Sequence, residues 1–149
     1  MKLLTVAIPC YNSQEYMKHA IESALVGGED IEILIVDDGS KDDTAKIADE
    51  FEAQYPGIIR AIHQENGGHG EAVNTGLRNA KGLYYKVLDS DDWLDDDALA
   101  KVMDVLRTQA AAEKPVDLVM ANYVYEHVAD NTRNIVDYAG ILPEGRVFK

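Results

Sequence analysis

Asp89, Asp91 and Asp92 fall within four consecutive positions of YYKVLDSDDW, residues 84–93, straight after a run of apolar and aromatic side chains. Like charges crowded in this way repel, unless a cation, water or a helix N-terminus answers them. Carboxylates at i and i+2 on a turn can bind one divalent ion, with phosphate oxygens and water completing its shell. Hard oxygen ligands of this kind suit Mg²⁺ or Mn²⁺. A plainer role, favouring the dipole of a following helix, fits Asp95, Asp96 and Asp97 better, because helix starts prefer acids. An EF-hand loop opening at Asp89 is excluded: its sixth position requires glycine and holds Leu94.

Three more polar clusters could carry chemistry. Asp37 and Asp38 follow the apolar run IEILIV, and a carboxylate there can accept a hydrogen bond from a nucleobase N–H. Asp38-Gly39 can equally form an Asx-turn. PCYN places Pro9, Tyr11 and Asn12 after another apolar run; Tyr11 could pack on a base, and Asn12 could as well cap a helix. NGGHG, with Gly67, Gly68 and Gly70 ahead of a helix, could cradle phosphate on backbone amides, while His69 reads as a surface loop residue. The segment is neither a dinucleotide fingerprint nor a P-loop: the third glycine and the Gly-Lys-Ser/Thr are missing.

The elements that must position these clusters alternate. Strands are expected at 3–8, 31–36, 58–63, 83–88 and 117–126, and helices over about 16–25, 45–51, 71–81 and 98–112. Glu15, three residues after Asn12, has capping-box spacing. The alternation predicts βαβ units and a mostly parallel sheet sandwiched by helices. Ligands of such sheets bind outside the carboxyl ends of the strands. That rule selects the loops opening at Pro9, Asp37, His63 and Asp89, all expected on one edge. Beyond Asp130 no periodicity indicates an element.

Length and charge narrow the function. The chain of 149 residues suits one α/β domain, and 46% apolar residues argue against disorder. Acids outnumber bases 27 to 14, which leaves a net charge of −13 and no footprint for nucleic acid or an anionic membrane. An anionic ligand would then need a bound cation. Cys10 is the single cysteine, so no intrachain disulfide can form. No segment approaches the roughly 20 apolar residues that span a bilayer, and the expected location is the cytoplasm.

Together, VAIPCYN, EILIVDDGSKDDT, NGGHGEAVNTGLRNAKG and YYKVLDSDDW resemble, in order and spacing, a family 2 glycosyltransferase of the GT-A fold, over residues 3 to about 124. The resemblance implies a Rossmann-like donor-binding domain over 1–126. A poorly defined tail, 127–149, would lead to an absent acceptor-side region, through which the protein could sit peripherally at a membrane. It implies a nucleotide-diphospho-sugar donor, a saccharide or lipid-linked acceptor, and inverting transfer. By resemblance Pro9, Tyr11 and Asn12 border the nucleoside, one of Asp37 and Asp38 bonds the base, usually uracil, and Gly67, Gly68 and Asn74 lie beside the donor. DSDD matches the family's DxD motif, with Asp89 toward ribose and diphosphate and Asp91, together with Asp89, on Mn²⁺ or Mg²⁺. Many members carry arginine where Val73 stands, and neither Arg78 nor Lys81 is assigned to replace it. Inversion needs a carboxylate base, and Glu126, Asp130, Asp137 and Glu144 match no family position, so the base is expected outside this chain. A non-catalytic nucleotide-sugar-binding module is the alternative of a different class.

Overall fold

The computed structural model describes residues 1–127 and 129–138. The chain divides into two compact units, Met1–Ala110 and Ala111–Lys149. In the first, β1 (Leu4–Cys10), β2 (Ile31–Asp37), β3 (Ile59–His63) and β4 (Tyr84–Val87) form a parallel sheet of order β3-β2-β1-β4. The helices α1 (Met17–Leu25), α2 (Thr44–Gln54) and α3 (His69–Asn79) make the crossovers, and α4 (Asp96–Ala110) follows β4. β1 and β2 occupy the centre and are buried at every residue, which explains why they read as continuous apolar runs.

The chain steps from β1 to β2 to β3, then crosses back past β1 to β4. Right-handed crossovers therefore place α1 and α2 on one face and α3 on the other. α3 lies close to the sheet because it carries glycine at the contact. A Cβ on Gly76 would sit 2.7 Å from both the Ala7 Cβ and the Tyr85 hydroxyl. That hydroxyl donates to the Val73 carbonyl at 2.9 Å, tying the helix to β4.

Several expectations shift. Asn12 does not cap α1; the helix begins at Met17, whose amide donates to the Ser13 carbonyl at 3.0 Å. The Asn12 side chain instead accepts from the Lys41 amide at 2.8 Å, because its backbone takes the left-handed conformation, φ 50°. α3 starts at His69, two residues earlier than expected, behind Gly68 at φ 86°. The fifth strand does not join the parallel sheet. Residues 117–122 have no regular structure, and β5 (Tyr123–His127) pairs antiparallel with β6 (Thr132–Val136) in the second unit. A run of aromatic and β-branched residues suits a hairpin as well as a buried strand, and β5 is mostly exposed. Residues 128 and 139–149 of the expected tail, Glu144 among them, lie outside the described residues. Among the described residues no helix is long and apolar enough to cross a membrane.

Candidate functional site

All four parallel strands end on one edge, and the loops that leave them are bonded to one another. The Asn12 amide donates to the Ser40 hydroxyl at 3.0 Å and the Ser13 amide to the Thr44 hydroxyl at 2.8 Å, joining the β1 and β2 loops. The Ser13 and Ser90 hydroxyls lie 2.8 Å apart, joining the β1 loop to the acidic turn after β4. The strand order reverses between β1 and β4, which is where a ligand crevice is expected. Pro9 helps to open it. The Leu88 amide donates to the Ala7 carbonyl at 2.9 Å, and the Asp38 amide to the Cys10 carbonyl at 2.9 Å on the opposite side of β1. Strand alternation turns the Pro9 nitrogen toward β4, and with no N–H there the ladder ends at Ala7↔Val87.

Asp37 and Asp38 are both buried, and both are already bonded. Asp38 Oδ1 accepts from the Gly67 amide at 2.8 Å and from Gln64 Nε2 at 2.7 Å; its Oδ2 accepts from the Gly68 amide at 2.8 Å. Burial pushes this carboxyl up, but the Gly67, Gln64 and Gly68 donors outweigh it and hold the pKa below the ordinary value. The Gly67 and Gly68 amides, expected to cradle phosphate, are thus spent on Asp38. Gly39 makes the approach possible: a Cβ there would lie 2.8 Å from the Asn66 nitrogen. Asp37 accepts from the Ser40 amide at 3.0 Å and faces His63 Nδ1 at 3.1 Å, while His63 Nε2 faces Asp49 at 3.0 Å.

An acceptor at each ring nitrogen favours the imidazolium form of His63. The hydrogen bonds to Asp37 and then Asp49 raise its pKa against the smaller effect of burial. A raised pKa contributes stability that is fully present below about pH 6.5 and is lost as pH rises through the folded value. The ring is partly exposed, so the contribution is under about 1 kcal/mol. Urea midpoints of the wild type should therefore fall between pH 6 and pH 8 by more than those of His63→Gln. Parallel pH profiles would remove His63 from that role.

The acidic turn is pinned on several sides. The Asp92 amide donates to the Asp89 carbonyl at 3.0 Å, the Leu94 amide to the Ser23 hydroxyl at 3.0 Å, and Trp93 stacks on His19 at 4.9 Å. The carboxylates of Asp89 and Asp91 stay exposed. Asp92 has a raised pKa, through burial first and then the charges of Asp91 and Asp89, with Lys86 opposing. The turn is thus a focus of negative potential with hard oxygen donors, which fits Mg²⁺ or Mn²⁺. Among the described residues no three His, Cys, Asp or Glu side chains could together hold an ion. Donor phosphate oxygens and water would have to complete its shell. Asp95, by contrast, accepts the Ala98 amide at 2.9 Å just ahead of α4.

Two clefts open at this edge, and His69 borders both. One, of about 630 Å³, is bordered by Asn74, Lys86, Asp89 and Asp92. The other, of about 330 Å³, is bordered by Pro9, Tyr11, Asp38 and Gly68. Of the residues expected from sequence, Pro9, Tyr11, Asp38 and Gly68 border the smaller cleft and Asn74 and Asp89 the larger, while Asn12, Asp37, Gly67 and Asp91 border neither. His69 joins them: read from sequence as a surface loop residue, it stands at the start of α3 with Nε2 3.7 Å from Asp89. Sequence reasoning missed Lys86, whose signal was an isolated cation in an apolar strand, and Ser90, which sits inside the acidic motif. Arg78 is unavailable, being bonded to Glu71 and Thr75. Of the acids considered as a base, Glu126 pairs with Arg133, Asp130 accepts from Thr132, and Asp137 accepts from Asn122.

Known proteins resemble this chain in sequence and fold. Chondroitin synthase of Escherichia coli is 43% identical over 106 residues, which is 70% of this chain and 15% of that protein. Among solved structures, S. aureus TarS 1–349 in complex with UDP-GlcNAc aligns with a TM-score of 0.64 and 27% identity, over 74% of this chain and 32% of that one. The mannosyltransferase PcManGT of Pyrobaculum calidifontis, in complex with GDP-Man and Mn²⁺, aligns with a TM-score of 0.59 and 26% identity, over 65% of this chain and 30% of that one. The chain spans a third or less of the length of each of these relatives. A family model described as glycosyl transferase family 2 matches residues 5–137, a span that holds all four loop motifs, and the chain belongs to that family.

Proposed function

We propose that this chain forms the donor side of an inverting glycosyltransferase, binding a nucleotide-diphospho-sugar, uridine-linked, with Mn²⁺ or Mg²⁺. The sugar would pass to a hydroxyl of a saccharide or lipid-linked acceptor. One observation carries this reading: an exposed carboxylate turn, fixed by Ser90 and Trp93, at the reversal point of a parallel sheet beside Asn74 and the start of α3. Relatives that bind UDP-GlcNAc, or GDP-Man with Mn²⁺, support the class of donor.

In this reading Pro9 and Tyr11 border the nucleoside in the smaller cleft. The diphosphate lies over the larger one, near Asn74 and the amides that open α3. Asp89 and Asp91 would hold the ion, whose chemistry when bound is to offset charge on the leaving diphosphate. Asp38 acts chiefly by holding the Gly67-Gly68 segment in place. Calorimetric titration of the chain with UDP, with and without Mn²⁺, tests the proposal. Binding that needs the metal is expected; absence of binding by UDP, GDP and dTDP alike would overturn it.

A further inference from the structure

Lys86 borders the larger cleft together with Asn74, Asp89 and Asp92. Among the described residues it is the one lysine or arginine that borders either cleft. Its ammonium makes no hydrogen bond and no ion pair within 4.0 Å with any described residue, whereas Arg78 is held by Glu71 and Thr75. A free ammonium on a flexible stem beside crowded carboxylates is poised for an anionic ligand.

We propose that Lys86 is the cationic contact for the diphosphate of the donor, holding it over the acidic turn from the β4 side. This rests on the donor-site reading above. A nucleoside diphosphate cannot enter a cleft walled by Asp89 and Asp92 on electrostatic grounds unless positive charge meets it. One divalent ion shared with those carboxylates leaves part of that charge unanswered, and Lys86 is the lysine that borders the same cleft. A competing account is that Lys86 merely guards the edge of β4 against pairing with other chains, a common use of lysine on edge strands.

The two accounts differ in what they make Lys86 touch. Titrating the wild type, Lys86→Met and Lys86→Arg with UDP and with uridine, at saturating Mn²⁺, separates them. Lys86→Met is expected to weaken UDP by about 10- to 100-fold, the worth of a charged hydrogen bond. Uridine affinity should stay unchanged, and Lys86→Arg should retain most of the UDP affinity. UDP affinity unchanged in Lys86→Met, or equal losses for UDP and uridine, would overturn the assignment. A wild type that binds UDP while Lys86→Met only self-associates would establish the edge guard instead. A wild type that binds no nucleoside diphosphate with Mn²⁺ would remove the donor-site reading, and this inference with it.

Discussion

Asp38→Ala is expected to destabilise the first unit by roughly 3 kcal/mol, the scale set by stranding several donors of one buried charged acceptor. Asp38 is 2% exposed, and its carboxylate accepts three bonds of 2.7–2.8 Å, two of them from consecutive backbone amides. Alanine would leave the Gly67 and Gly68 amides without an acceptor and detach the loop that leads into α3. Nucleotide affinity should fall with stability, because Pro9, Tyr11 and Gly68 border one cleft with Asp38. The effect has a pH signature. A depressed carboxyl pKa contributes stability that is present above the unfolded value, near 3.9, and is lost as pH falls through the folded value. Wild-type urea midpoints should therefore drop steeply below pH 4, and those of Asp38→Ala less so. A variant as stable as the wild type at pH 7 would show that the Gly67-Gly68 segment does not depend on Asp38.

Much of this arrangement was legible in the chain because the parallel sheet places every loop motif on the same edge. The apolar runs of β1 and β2, with their flanking turn residues, marked buried strands whose ends carry Pro9 and Asp37. What could not be read was how the loops bond to one another. Asp38 in VDDGS looks as free to meet a base as Asp37. Only the fold brings Gly67 and Gly68 onto it, from some thirty residues away in sequence. Asn12 shows the same limit: a helix cap and a bridge to Lys41 demand the same short amide side chain, and the choice depends on where the β2 loop passes. β5 failed for another reason. Strand propensity reports a pleated surface, half-buried or not, and carries no information about which partner supplies the hydrogen bonds.

Asp91→Asn should remove the metal-dependent part of nucleotide binding while leaving the fold intact. Asp91 is exposed on the turn. The turn itself is held by the Ser90 hydroxyl, the Asp92 amide and the Trp93 ring rather than by the Asp91 carboxylate. Disturbing only the partners of metal ligands costs about 10- to 100-fold in metal affinity, so losing a ligand charge should cost at least as much. Asp96→Asn is the matched control: another exposed acid a few residues on, at the first position of α4. There a carboxylate contributes only a few tenths of a kcal/mol, roughly, to the helix dipole. Calorimetry with UDP and Mn²⁺ on both variants reads the contrast. If Asp91→Asn keeps its Mn²⁺-dependent affinity, the ion is not held at this turn. If Asp96→Asn loses it, the ion sits nearer the start of α4 than the motif implies. Loss confined to Asp91→Asn would mean that the crowding of Asp89, Asp91 and Asp92, costly without a counter-charge, is retained for the cation it can bind.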